Sequence, residues 1–134
     1  MRVETMNSDE KILNALKGAA SYLQASMKVL DDNDEAFFSG NIWHVGAELE
    51  YALFLFSMIF HEEHDSSKWK PKIEPKENLK PILLEVNNLL EQAQECMGNR
   101  KLQDAFQNVF AARHYVFKIQ ADIAKKKRES SKKK

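Results

Sequence analysis

Asn41, His44, Glu48 and Tyr51 recur at steps of three and four residues, so a helix carries all four on one face. An imidazole and a carboxylate four apart can chelate a metal or exchange a proton as an acid–base pair. Arg113 joins His44, Glu48 and Tyr51 as a ligand-pocket candidate. It falls on the apolar face of a later helix, where a guanidinium must snorkel or pair, and Glu48 and Glu50 are the available partners. A satisfied His–Glu pair on a half-buried face is the commoner product of such spacing, because structural ion-pair networks bring the same groups together. No catalytic residue is therefore assigned.

A second cluster, His61, Glu62, Glu63, His64 and Asp65, gathers metal-capable groups at a helix end. The two histidines stand three apart, whereas a zincin helix needs them four apart with Glu directly after the first. Di-metal carboxylate bundles need Glu-x-x-His on each of two helices, which is also missing. A solvated helix end accounts for the cluster, and no metal ligand is assigned. The chain has no Gly-rich phosphate loop, no ordered Ser–His–Asp set and no CxxC, so no cofactor is expected. Arg113 is followed at once by His114, whereas the nucleolytic helical bundles of prokaryotic toxin–antitoxin systems resemble each other in a His placed further along, so no family is assigned.

The elements that must position these residues are helices. From Phe37 to Phe60 the large residues Phe38, Ile42, Val45, Leu49, Leu53, Phe56 and Phe60 alternate steps of three and four, the period of a helix face pressed on a core. From Ala52 onward the apolar residues go all round, with only Ser57 interrupting, so this helix should be central, with Leu53 and Phe56 among its most buried residues. His44, Glu48 and Glu50 make the run too polar and too short to cross a membrane, which takes about 20 apolar residues. Gly40 and Gly46 each cost roughly 1 kcal/mol inside a helix, which predicts close contact with a neighbour.

Caps and stripes predict four helices at about 8–31, 34–63, 78–97 and 100–125. Asn7 with Glu10 fits a capping box at the first, and Asn33 or Asp34 caps the second. Gly18, Ala19 and Ala20 leave room for a neighbour on the first helix. Residues 65 to 77, with Pro71 and Pro75, read as an extended connection. Gly98 suits the left-handed position that ends the third helix. At a shift of 64 residues Val45, Ala47 and Tyr51 fall on Val109, Ala111 and Tyr115, so the order of parts repeats weakly. The expected fold is all-α, a four-helix antiparallel bundle built from two helical hairpins.

Charge divides the chain. Lys125, Lys126, Lys127, Arg128, Lys132, Lys133 and Lys134 hold seven of the 20 basic residues, leaving 13 basic against 19 acidic in residues 1–124. An acidic body does not attract phosphate backbones, so nucleic acid is a partner only through that tail. Residues 1–125 are expected as one domain and 126–134 as a disordered basic tail, helical for at most another turn. The lone Cys96 and the absence of a signal-peptide pattern at the N-terminus favour a cytoplasmic protein, with no membrane partner. Trp43, Trp69, Phe37 and Phe54 are more large rings than a four-helix chain can hide, unless they are simply core. They are the interaction candidates of a non-enzymatic adaptor or accessory subunit that binds a protein partner or itself as a homodimer. The alternatives are a nucleic-acid-associated protein using its tail and a small enzyme with its pocket at His44, Glu48 and Tyr51.

Overall fold

A computed structural model describes residues 8–32, 34–60 and 79–132. Among them there is no strand. Four helices, α1 (Ser8–Lys28), α2 (Glu35–Ile59), α3 (Leu79–Gly98) and α4 (Leu102–Lys132), pack against one another. Both α1 and α4 lie against α2 and α3, and one hydrophobic core runs between the four. Asn7, the residues 65–77 and the cluster from His61 to Asp65 fall outside the described residues.

Ile12, Leu16, Ala19 and Leu23 recur at steps of four and three and form the buried stripe of α1, which Met27 and Leu30 continue half-buried. Ser26 is also buried, and its hydroxyl is satisfied by donating to the Tyr22 carbonyl at 3.0 Å. The α-helix stops at Lys28 and tightens into a 3-10 turn over Leu30–Asp32. Asp34 then caps α2, its carboxylate accepting the Phe37 N–H at 3.1 Å and satisfying the open helix start, while Asn33 lies outside the described residues.

Helix α2 buries Phe38, Ile42, Val45, Gly46, Leu49, Ala52, Leu55 and Phe56. The expectation for Leu53 is corrected: it is half-buried, and Leu55 takes its place in the core. Beyond Leu49 every direction round this helix offers an apolar residue, so the stripe continues through Ala52 and Leu55, a choice made by packing and not by polarity. The helix ends at Ile59 with Phe60 as its cap, short of the expected 63. By length and composition, its 25 residues are also sufficient to cross a membrane, against the expectation from its scattered polar residues. The apolar second half outweighs His44, Glu48 and Glu50, but burial of one side against α1 and α4 fits a core helix equally.

Of the three helical glycines expected to admit a neighbour, two do so. A Cβ on Gly18 would stand 2.5 Å from Oε2 of Glu48, and one on Gly46 would collide with the Gln120 amide of α4. Gly40 is exposed with open space before it, so no packing demand explains it.

The turn between α3 and α4 corrects the role of Gly98. The left-handed residue is Arg100, at φ 59°, and Gly98 remains helical. Lys101 N–H bonds the Cys96 carbonyl at 2.8 Å and Arg100 N–H the Met97 carbonyl at 3.1 Å, the paired bonds of a Schellman motif with Asn99 as its cap. The register is set by where α4 must begin in order to pack, two residues later than the glycine would place it. Helix α4 also outruns its expected end near 125 and continues to Lys132. Neither Gly nor Pro interrupts the stretch, lysines suit the negative end of the helix dipole, and Lys126 pairs with Asp122 one turn back at 3.2 Å.

Two outcomes follow from this packing. Phe56→Ala is expected to cost about 3–5 kcal/mol in chemical denaturation, since the ring is fully buried and its cavity cannot refill. Arg100→Gly is expected to raise stability by about 0.5–1 kcal/mol, relieving the left-handed strain while losing only a 3.7 Å contact to Asp9 from an exposed guanidinium. Both are read from shifts in urea midpoints.

Candidate functional site

The four pocket candidates divide between two flanks of α2. His44 is exposed and stacks on Tyr22 of α1, ring centroids 4.6 Å apart and planes 17° from parallel. Glu48, one turn on, lays its carboxylate against Gly18 of the same helix. Tyr51 continues this line and is exposed. Arg113 instead approaches the flank that faces α4, where its Nε donates to Oε1 of Glu50 at 2.6 Å. Glu50 is the partner that an arginine beside the core required. Both side chains are partly exposed, so the bond is worth at most about 1 kcal/mol. The Arg113 guanidinium also lies 5.9 Å from the centre of the Phe117 ring, within cation–π range.

Further along that flank Phe106 meets Phe56 and Phe60 edge to face, while Phe56 and Phe60 stack in parallel at 6.1 Å. The Phe56–Phe106 centroids are 5.6 Å apart at 76°, and the Phe60–Phe106 centroids 5.8 Å apart at 77°, the arrangement favoured by ring quadrupoles. Phe110 stacks on Phe106 at 6.4 Å. Among the described residues no group of three or more His, Cys, Asp and Glu is placed to hold a metal ion.

With α1 on one flank and α4 on the other, the outward side of α2 faces solvent. It carries Ala36, Gly40, Trp43, Ala47, Tyr51, Phe54 and Met58, every one exposed and none charged. Trp43 retains 50% of its surface, Phe54 and Met58 59% each, so these side chains are not core. Phe37 is exposed beside them at the start of the helix, and Phe117 and Leu84 are exposed on α4 and α3. Trp69 lies outside the described residues, as do Lys133 and Lys134. Of the basic tail, Lys125, Lys126, Lys127 and Arg128 are exposed on the last turns of α4, and Lys132 closes the helix.

Sequence reasoning missed Met58, Ala47 and Gly40 as parts of this face. The signal was present as a seven-residue spacing, hidden beneath the stronger core stripe on the other side of the same helix. The weak repeat does not survive in burial either. Val45 and Val109 are both buried, but Ala111 and Tyr115 are covered where Ala47 and Tyr51 are bare.

No protein-family model matches the chain, and neither a curated protein nor a solved structure does so.

His114 generates the pH dependence of this region. Burial lowers its pKa from the usual 6.5, with smaller contributions from the positive charges of Lys118 and Arg113. The folded protein thus binds this proton less readily than the unfolded chain. Its contribution to stability is complete above pH 6.5 and is lost as the pH falls from there towards the lowered folded value. Thermal melts across this window should show His114→Gln flattening that decline, and an unchanged slope would assign it to another group.

Proposed function

We propose that this protein is a non-enzymatic interaction module, an adaptor or accessory subunit whose partner covers the outward face of α2. The observation that carries the reading is that face itself: seven exposed residues from Ala36 to Met58 without a charge, three of them aromatic. Large exposed rings at a helix surface are characteristic of contact sites and cost solubility wherever nothing covers them. An enzyme reading has less support, because Arg113 is committed to Glu50 and His44 to Tyr22.

The scaffold of this module is read as two antiparallel helical hairpins. Supporting pairs are Gly18 with Glu48 and Tyr22 with His44 between α1 and α2, and Gly46 with Gln120, Glu50 with Arg113 and Phe56 with Phe106 between α2 and α4. In each series the numbers rise on one helix as they fall on the other. Residues 1–125 are taken as its single domain and the location as cytoplasmic, in keeping with a lone thiol, Cys96.

A second reading keeps nucleic acid as a partner through the tail. The exposed cations from Lys125 to Arg128 favour it, since a run of them releases counterions from a polyanion. One experiment separates the two. Affinity capture from the native organism should return a protein that is lost with Trp43→Glu or Phe54→Lys and kept on deletion of residues 126–134. Capture indifferent to both substitutions would overturn the α2 reading, and salt-sensitive nucleic acid lost with the tail would install the second.

A further inference from the structure

The outward face of α2 has a period and a symmetry that specify its occupant. Gly40, Ala47 and Phe54 are seven apart, as are Ala36 and Trp43, and Tyr51 and Met58; the step after Trp43 falls on Glu50, the one charge at the centre of the seam. A seven-residue apolar repeat is the pattern of a helix wound against another helix, since a straight α-helix has no use for it at a surface in water. One size contrast along this seam is also mirrored, Ala47 against Phe54. Trp43 and Met58 are equidistant from the peptide bond between Glu50 and Tyr51, and so are Ala47 and Phe54.

Resting on the docking reading above, we propose that the occupant is a second copy of this chain, its α2 packed antiparallel on the first about a two-fold axis at Glu50 and Tyr51. A two-fold contact brings each residue opposite its mirror position. Phe54 then fills the space beside the partner's Ala47, and Trp43 meets the partner's Met58, a thioether against an aromatic ring. At the axis Tyr51 lies opposite the partner's Glu50, so the phenol has a carboxylate to donate to, one whose charge Arg113 already offsets. Antiparallel pairing also sets the two helix dipoles against each other favourably. The mirrored pair of Ala47 and Phe54, small against large, is what a two-fold contact between copies calls for. The equivalent alanine and tyrosine of α4, Ala111 and Tyr115, are covered within the fold, which marks the α2 face as the one left for a neighbour.

The area sets the strength. Trp43, Tyr51, Phe54 and Met58 are each about half exposed and offer about 100 Å² apiece, roughly half of the ~800 Å² that a standard interface takes from each side. Association in the micromolar range is the consequence.

Sedimentation velocity of the full chain across the micromolar range should therefore show a concentration-dependent dimer. Phe54→Lys and, separately, Trp43→Glu should each weaken it at least ~10-fold, as loss of a central anchor does, with helical circular dichroism unchanged because both side chains are exposed. In a Cys96→Ser background, an oxidised mixture of Ala47→Cys with Phe54→Cys should form a disulfide between copies, whereas each variant alone should not. Self-linking of either single variant would overturn the antiparallel register. A wild-type chain that stays monomeric, or that leaves solution for zwitterionic vesicles, would overturn the second copy. The docking reading would then stand or fall on the capture experiment alone.

Discussion

A helix whose second half is apolar around its whole circumference cannot be covered by two neighbours. This constraint on α2 organises the molecule. One side sinks into the core through Ile42, Val45, Leu49 and Phe56, all without exposed surface, while α1 and α4 close on its flanks. Each flank is fitted by removing bulk from a backbone. Gly18 makes room for the carboxylate of Glu48, and Gly46 makes room for the amide of Gln120. Close approach secures the core side and leaves the opposite side bare, so the same apolar composition that drives folding also produces the exposed stripe. Burial within the chain and contact outside it are thus two uses of one hydrophobic surplus.

Polarity that would otherwise oppose this packing is handled at the margins. The guanidinium of Arg113, beside the core of α4, reaches Glu50 and lies along Phe117, keeping its charge at the surface. His114, on the next position, is held towards its neutral form by burial and by the cations beside it. Neither arrangement stabilises much by itself. Their effect is to let an amphipathic helix tolerate charges close to a dry core without leaving one unmatched.

The fold was legible wherever one face of a helix differs from the other. The α1 stripe, a cap at residue 33 or 34 and a carboxylate partner for Arg113 at Glu48 or Glu50 could all be read from residue types and spacing, and the structure selects Asp34 and Glu50. Reading failed where the local signal was degenerate. Along the second half of α2, apolar residues in every direction made Leu53 as plausible a core residue as Leu55, and only tertiary packing decided between them. Gly98 was the natural left-handed residue by intrinsic preference, but the start of α4 imposed that conformation on Arg100. The candidate site suffered from the same limit. His44, Glu48 and Tyr51 do share a face, whereas their relation to Arg113 depended on which helix stood on each flank, and spacing within one helix carries no such information.

The Schellman turn at Asn99–Lys101 has a kinetic side as well. It joins two packed helices across three residues, and the α1–α2 connection takes six, so both helix pairs close over short loops that cost little loop-closure entropy. Each helix pair can therefore collapse early and by itself. Docking of the two pairs then sets the pace, and until it is complete the flank of α2 that α4 covers stands open to water together with the outward face. In a crowded cell that interval is when the chain is most vulnerable to aggregation, a vulnerability shortened by the same tight turns that create the two independent halves.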